Sequence, residues 1–398
     1  MVIRPITPEE RIQFSKIQSI SYLFPRDYSR YEKNPDEFKE GYEYVRAAFD
    51  DSGKMCSGLE LYNFRAVFDG NIVQTGGIAG VATLPAERNK RYVRKLFEYI
   101  IEEMYERGDV FSYLYPFSYE FYRKFGYELN MTTIKCTVPF TALEHFRQSG
   151  RMELYLPGMD PTDIKSVYSL FIQGKNLALD AESHWNRFHK RDPYQSNTYL
   201  YIWYDNEGLA KGYLQYTIDR SDKNSSLPDM KLNEIIWLNG DAFRGMMAFL
   251  YGFAPLFRNL VFVIPNHIDI LTYFPEQKEI HQQIQVNGSN RIVNAKKALK
   301  LMKAPEGQGA LAIEVLDQFF PKNSGKYLIE WENGSIMISS GQNHKVSMSC
   351  GINHLSQLIT GFSTVQRLYE AGHISISGDM DKLNCLFTEK DLFINDYF

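Results

Sequence analysis

The stretch "YNFRAVFDGNIVQTGGIAGVATLP", residues 62–85, restricts the possible folds most strongly. Polar and apolar residues alternate on both sides of Asp69-Gly70-Asn71, a pattern typical of two strands joined by a tight turn. The helical pattern "RYVRKLFEYIIEEMYERG" follows and stops at Gly108, and the strand-like "VFSYLYP" comes next. Strands that alternate with helices predict an α/β domain on a mixed sheet, which we place at residues 1–150.

A similar order of elements recurs in a second domain, predicted at residues 151–286. "DPTDIKSVYSLFIQG" predicts a helix, and "NTYLYIWYDNEGLAKGYLQYTID" predicts a hairpin that turns near Gly208. A third domain, residues 287–398, opens near "NRIVNAKKALKLM" and predicts a small α+β fold with a meander-like sheet. A chain of 398 residues has room for three such domains.

Composition narrows the functions that this chain could have. The net charge of −4 argues against general affinity for nucleic acid. The cysteines, which lack any CxxC spacing, predict free thiols and neither a metal site nor a disulfide framework; they are Cys56, Cys136, Cys350 and Cys385. The beginning "MVIRPITPEE" has no signal-peptide pattern, and no run of about 18 apolar residues occurs. We therefore expect a cytoplasmic protein with no membrane partner.

Residues 77–100, "GIAGVATLPAERNKRYVRKLFEYI", join the end of a strand to a basic loop and the start of a helix near Tyr92. Backbone N–H groups at a helix N-terminus, together with several cations, form a site for an anion. The pyrophosphate of coenzyme A would fit such a site. A solvated basic turn is the alternative interpretation, because charge runs usually lie at the surface.

The stretch "SYEFYRKFGYEL", residues 118–129, follows about 30 residues later and contains Tyr122. A phenol held on a helix can donate a proton to a departing thiolate. A lone tyrosine in an aromatic-rich stretch more often fills a core. The residues alone leave both roles open for Tyr122.

The order of strand, basic loop, helix, strand and "FYxKxGY" resembles the GCN5-related N-acetyltransferase (GNAT) family. The resemblance implies that the pantetheine arm of acetyl-CoA inserts where the sheet splays, that the loop binds its pyrophosphate, and that Tyr122 is the general acid. The cofactor-binding residues that it implies are Val81, Ala82, Thr83, Arg88, Asn89, Lys90, Arg91, Tyr92 and Val93. It implies no metal.

The basic loop departs from the family pattern, which reads Gln/Arg-x-x-Gly-x-Gly/Ala. Arg91 and Val93 stand where the glycines are usual. Glycine lets the backbone come close to a phosphate, so the two side chains are expected to tighten that approach, while Arg91 adds a positive charge.

Two GNAT-like domains followed by a small α+β domain resemble the enhanced intracellular survival (Eis) family over the whole chain. The stretches "PFSYEFYRKFGYEL", "HLSQLITGF" and "LFINDYF" support this resemblance. It implies acetyl-CoA bound only to the first domain, a sterol-carrier-like third domain, a hexamer, and the Phe398 carboxylate as catalytic base. It also implies an N-acetyltransferase acting on primary amines of small cationic acceptors, either aminoglycoside-like or polyamine-like.

The loop "SYLFPRDYSRYEKNP", residues 21–35, borders the acceptor site in folds of this kind. Its aromatic and acidic side chains are therefore candidates to line a substrate cleft, with an ordinary surface loop as the equal alternative. These candidates are Tyr22, Phe24, Asp27 and Tyr28. The histidines, His184 and His189 among them, are expected to be structural.

Two other functions stay open on the sequence. The missing loop glycines and the carrier-like third domain would suit a catalytically degenerate protein that binds acyl-CoA or a lipid. Tandem GNAT domains would also suit an N-acyltransferase that acts on protein amines.

Overall fold

The computed structural model describes residues 1–29, 33–187, 191–222, 225–340, 345–394 and 396. The chain divides into two compact units, of which the first contains residues 1–130 and 288–390. The second contains residues 131–287 and 391–396.

The N-terminal part of the first unit begins with a strand and a helix and then forms a long hairpin. Its strands are β1 (Val2–Pro5), β2 (Val45–Phe49), β3 (Met55–Phe68), β4 (Asn71–Thr83), β5 (Phe111–Leu114) and β6 (Glu128–Leu129). Its helices are α1 (Arg11–Tyr22), α2 (Tyr92–Arg107) and α3 (Tyr119–Arg123).

The second unit is built on a sheet in the order β13-β7-β12-β11-β10-β9-β8. The strands are β7 (Thr132–Pro139), β8 (Arg151–Tyr155), β9 (Thr198–Tyr204), β10 (Ala210–Asp219), β11 (Asp229–Trp237), β12 (Asn259–Pro265) and β13 (His281–Val286). The helices are α4 (Thr162–Phe171), α5 (Ala181–Arg187) and α6 (Gly240–Tyr251). Strand β7, which the sequence analysis placed in the first domain, thus belongs to the second sheet.

The C-terminal part of the first unit holds the remaining elements. The strands are β14 (Ser289–Ile292), β15 (Gly309–Leu316), β16 (Gly325–Glu332), β17 (Ser335–Ser340), β18 (Val346–Gly351) and β19 (Ile374–Ile376). The helices are α7 (Ala295–Lys300), α8 (Ile352–Thr360), α9 (Val365–Glu370) and α10 (Met380–Leu386). The sheet order is β17-β16-β15-β18-β19, in which β15 to β17 form the predicted meander and β18 pairs parallel with β15.

The first sheet has the order β1-β2-β3-β4-β5-β14-β6, so a strand from beyond residue 288 lies between β5 and β6. The predicted hairpin is confirmed, because Phe68 pairs with Asn71 across Asp69 and Gly70. Both turn residues have positive φ, 47° and 80°, as a tight hairpin turn of this length requires. The mixed α/β architecture expected from the sequence is confirmed.

Two irregularities in β4 shape the first sheet. Gly58 pairs with Ala82 and Glu60 with Ala79, so β4 carries one extra residue there, and Gly80 within it has φ 60°. Strand β4 pairs with β5 only from Thr75 to Ile78, although it continues to Thr83. The two parallel strands therefore separate beyond Ile78 and leave one edge of β4 open.

Candidate active site

A groove of about 850 Å³ opens where β4 and β5 separate. Its walls come from α1, from β4 and β5, from the loop before α2 and from α3. The lining residues are Ser21, Tyr22, Ile78, Ala79, Gly80, Val81, Thr83, Glu87, Arg88, Asn89, Arg91, Tyr92, Val93, Arg94, Leu114, Tyr115, Phe117, Phe121, Tyr122 and Phe125. The groove joins the part of β4 that β5 does not pair with to the start of α2, so it combines a strand edge with a helix N-terminus.

One end of the groove is cationic. Arg88, Arg91 and Arg94 line it, all three are exposed, and the first turn of α2 contains no acidic residue. Because the N–H groups of that turn add partial positive charge, this end of the groove suits an anion. The anion site that the sequence analysis placed at this loop stays a prediction.

Glu87 is the acidic exception at the cationic end, and the sequence analysis did not single it out. Its carboxylate accepts hydrogen bonds from Lys54 at 2.9 Å and from Lys90 at 2.7 Å. These two lysines lower the pKa of Glu87, the Lys90 pair contributing more. Lys90 is therefore engaged by Glu87 and is absent from the groove lining, although it was predicted to bind the cofactor.

Arg91 adopts the backbone conformation that a glycine would favour. It is the residue before α2, and its φ and ψ are 64° and 16°, in the left-handed region. Asn89 is left-handed as well, with φ 65°. The loop thus keeps a conformation that needs positive φ without its usual glycine, and Arg91 holds it at a steric cost of about 1–2 kcal/mol. Such strain in a loop beside a groove is typical of a functional site.

Tyr122 lines the opposite wall, on α3. The Ser118 hydroxyl caps this helix by accepting a hydrogen bond from the backbone N–H of Phe121. The Tyr122 ring lies against Phe97, at 5.9 Å between centroids, and against the exposed Phe117 at 5.6 Å. Burial raises the pKa of the Tyr122 phenol above its ordinary value, so the hydroxyl stays protonated at neutral pH.

The turn at the end of the "FYRKFGY" stretch requires a glycine at position 126. Its φ is 86°, and a Cβ at this position would lie 2.9 Å from a guanidinium nitrogen of Arg291. The same guanidinium group donates to the Phe125 carbonyl oxygen and pairs with Asp317 at 2.5 Å, fully buried on both sides. The C-terminal part of the first unit therefore packs directly against the segment that carries Tyr122.

Helix α8 supports this segment further. The amide of Asn353 donates to the Tyr127 carbonyl oxygen at 3.0 Å, and that of Gln357 donates to the Leu129 carbonyl oxygen at 2.8 Å. The Tyr127 hydroxyl hydrogen-bonds the Ser112 hydroxyl at 2.7 Å inside the core. Tyr127 thus has a structural position, whereas Tyr122 lines the groove.

The predicted substrate residues divide into two groups. Tyr22 lines the groove, and its hydroxyl donates to the Val81 carbonyl oxygen at 2.9 Å. Phe24, Asp27 and Tyr28 are absent from the lining, and Tyr28 turns back onto α1, where its hydroxyl donates to the Ser15 carbonyl oxygen at 2.8 Å. A role for these three in substrate binding stays a prediction.

Ala82 and Phe398, two further predicted site residues, have different outcomes. Ala82 is buried in the core and does not line the groove, because it lies on the opposite side of β4. Phe398, predicted to be the catalytic base, lies outside the described residues, and His189 does too.

Glu60 is a residue beside the site that the sequence analysis missed. Its carboxylate pairs with Arg11 at 3.0 Å and accepts a hydrogen bond from the Tyr62 hydroxyl at 3.1 Å. It lies behind the bulge of β4, since a Cβ on Gly80 would be 3.3 Å from a Glu60 oxygen. A lone carboxylate in the mostly apolar run "MCSGLELY" was the available signal.

Neither a metal cluster nor a membrane helix is found in the described part of the chain. Those residues contain no group of three or more His, Cys, Asp or Glu side chains that could hold a metal ion. None of the described helices is long and apolar enough to cross a membrane.

Protein-family models match three segments of the chain. An acetyltransferase (GNAT) domain matches residues 2–130, a second GNAT domain model matches residues 179–292, and a sterol carrier protein domain matches residues 295–394. The chain therefore carries two GNAT acetyltransferase domains and a C-terminal sterol carrier protein domain. No curated protein matches the sequence.

Solved structures share the fold over the full chain. A GCN5-related N-acetyltransferase from Anabaena variabilis ATCC 29413 superposes with a TM-score of 0.86 at 22% identity, covering 100% of both chains. A conserved protein of unknown function from Enterococcus faecalis V583 gives a TM-score of 0.86 at 19% identity, covering 100% of this chain and 99% of that one. Eis1 from Mycobacterium abscessus gives 0.80 at 16% identity, covering 100% of both. The fold implied by the Eis resemblance is confirmed.

Proposed function

We propose that this protein is an acetyl-CoA-dependent N-acetyltransferase that acts on primary amines of small cationic acceptors. The observation that carries the proposal is the position of Tyr122, whose protonated phenol lines the groove opposite the cationic start of α2. The GNAT domain at residues 2–130 contains every residue that lines this groove.

The groove fits acetyl-CoA in charge and in backbone geometry. The open edge of β4, residues 79–83, would hold the pantetheine amides, and Arg88, Arg91 and the first N–H groups of α2 would hold the pyrophosphate. The left-handed Arg91 matters here, because it preserves the loop conformation without the usual glycine. Acetyl-CoA supplies an acetyl thioester, whose transfer to an amine releases a thiol.

Tyr122 acts as the general acid in this proposal, because the leaving sulfur needs a proton and the phenol holds one at neutral pH. The Phe398 carboxylate acts as the base that takes the proton of the attacking amine, a role supported by the Eis resemblance. One proton then passes through solvent from the carboxylic acid to the phenolate and restores both groups. Cationic acceptors, an aminoglycoside or a polyamine, are supported by the same resemblance.

Thiol release from acetyl-CoA tests the proposal, with spermidine and an aminoglycoside as acceptors. The Tyr122→Phe variant should lose at least about 100-fold in kcat, because general acid catalysis typically contributes that much or more. Coenzyme A affinity should stay within about twofold. Tyr119→Phe, on the same helix but outside the groove lining, is the matched control and should keep full activity.

The base is tested by extending the chain. One glycine appended after Phe398 moves the carboxylate by one residue and should lower kcat steeply while coenzyme A binding persists. Full activity of this variant would remove Phe398 from the mechanism. A wild-type protein that neither binds coenzyme A nor releases thiol would refute the acetyltransferase itself and leave lipid binding as the alternative.

A further inference from the structure

The last residues of the chain return to the second unit and dock on it. Asn176 and Leu392 form a parallel β-bridge, in which the Asn176 N–H donates to the Asp391 carbonyl oxygen at 2.7 Å. The Phe393 N–H donates in turn to the Asn176 carbonyl oxygen at 3.1 Å, and its ring lies 5.1 Å from that of Phe171. We call residues 391–396 the C-terminal strap. Its apolar side chains at 392–394 are all buried, so the strap is packed into the unit.

Asp396, near the end of the C-terminal strap, enters a buried cluster of charged groups. Its carboxylate oxygens lie 3.0 and 3.2 Å from Nδ1 of His184 on α5. The other ring nitrogen, Nε2, lies 3.2 Å from a carboxylate oxygen of Glu234 on β11. The three residues are between 4% and 6% exposed, so one imidazole links a helix, a strand and the strap in the interior.

The two carboxylates around His184 favour its imidazolium form. A neutral imidazole has one N–H donor, and its second nitrogen would point a lone pair at a carboxylate. Both ring nitrogens face carboxylate oxygens, and ionised carboxylates only accept, so both nitrogens donate when Glu234 and Asp396 are ionised. Burial opposes the charge, but Glu234 and Asp396 outweigh it and raise the pKa of His184 to about 10.

The groups around the imidazolium hold its ring in place. The Tyr168 ring on α4 stacks on it with 3.9 Å between centroids and an angle of 3°. The Tyr213 hydroxyl on β10 donates to the same Glu234 oxygen at 2.7 Å. Asp180, just before α5, is also buried nearby and influences Tyr168 electrostatically. Two carboxylates bonded to one imidazolium leave a net negative charge, so the strap would be repelled by Glu234 without the imidazolium between them.

We propose that His184 is a positioning residue, which anchors the C-terminal strap through Asp396 and thereby fixes where the chain terminus can lie. A fixed Asp396 limits the reach of the residues after it, and with them of the Phe398 carboxylate, to about 3.3–3.6 Å of extended chain per residue. The consequence for activity rests on the proposed role of that carboxylate as base, whereas the anchor itself does not depend on it.

Carboxypeptidase digestion of the full-length protein tests the anchor without any assay of activity. His184→Gln and Asp396→Asn should each speed the release of Phe398 at least tenfold. The double variant should be no faster than the faster single variant, because both changes break one contact. His145→Gln is the matched control, since His145 lies in the same unit, hydrogen-bonds the backbone carbonyls of Ala142 and Tyr273, and packs against Phe146.

Kinetics of the same variants test the positioning. Both should lower kcat at least tenfold with coenzyme A affinity unchanged, and Asp396→Glu should recover part of the loss. Hydrogen exchange at the Phe393 N–H should quicken in both variants. The test stays valid if His184→Gln folds poorly, because the residue substituted in Asp396→Asn lies in the strap itself.

Each outcome decides one part of the proposal. Unchanged release of Phe398 in both variants overturns the anchor. Faster release with unchanged kcat overturns the positioning role. A wild-type protein without transferase activity refutes the proposed function, and the release rates then still decide the anchor.

Discussion

Arg91→Gly should stabilise the protein, which is an unusual expectation for removing a long side chain. Arg91 is held at φ 64°, in the left-handed region. Glycine adopts this region without a steric clash, so the substitution removes about 1–2 kcal/mol of steric cost. Glycine also makes the unfolded chain more flexible, which lowers the free energy of unfolding by about 0.4–1 kcal/mol. Since the Arg91 side chain is exposed, no packing is lost. The net gain should be about 0.5–1 kcal/mol.

Hydrogen exchange of the buried α2 amides, near Leu96 and Ile100, reports this gain under native conditions. Exchange should slow by about two- to fivefold, as 1 kcal/mol corresponds to a factor of about five. Asn89→Gly is the matched control, because Asn89 has φ 65° but asparagine tolerates that region, and exchange should change little. Arg91→Ala keeps the strain and should give no gain.

The affinity for coenzyme A distinguishes the effect of the Arg91 charge from that of its backbone strain. Arg91→Ala should raise the Kd about tenfold, since a charge-assisted hydrogen bond to phosphate contributes about 1.5–3 kcal/mol. Faster α2 exchange in Arg91→Gly than in the wild type would refute the strain argument.

Three further variants probe the site and its supports. Gly80→Ala should weaken coenzyme A binding and destabilise more than Gly70→Ala. Both glycines have left-handed φ, but only at Gly80 would a Cβ clash with the side-chain amide nitrogen of Gln18; equal thermal shifts would contradict this. Arg291→Met should lower the free energy of unfolding by about 3–5 kcal/mol, because it leaves the charge of Asp317 buried without its partner. Adding Asp317→Asn should recover part of this loss, and a loss under about 1 kcal/mol in thermal unfolding would count against a structural ion pair. The pKa of His184 is raised from 6.5 to about 10, so its stabilisation is complete below pH 6.5 and is lost as the pH rises through 10. The rate of Phe398 release, normalised to that of unfolded protein, should therefore increase over that range in the wild type and stay level in His184→Gln.

The parts of the fold that were predictable from the sequence depend on contacts between neighbouring residues. The Asp69-Gly70 turn, the helix ending at Gly108 and the basic loop before Tyr92 all have local signals, and the structure has each of them. The family pattern directed attention to Tyr122 among many aromatic residues, and Tyr122 lines the groove, while its role as general acid stays a prediction.

The remaining features depend on residues far apart in the chain. Strand β14 is four residues long and pairs with β5, more than 170 residues earlier, so no periodic pattern could reveal its partner. His184 had no visible partner in the sequence, because Glu234 and Asp396 come to it from a distant strand and from the chain end. The left-handed backbone of Arg91 was unexpected, because a residue other than glycine at such a position usually indicates that the backbone no longer has positive φ.

The insertion of β14 between β5 and β6 has a consequence for biosynthesis. The ribosome makes the N-terminal end first, yet the first sheet cannot be completed until residues 289–292 have emerged. The second sheet uses only strands within residues 132–286 and can be complete earlier. Domains usually fold in the order of synthesis, but here the middle of the chain can finish before its beginning. Until then β5 has an unpaired edge, which makes the nascent N-terminal domain a natural client for a chaperone.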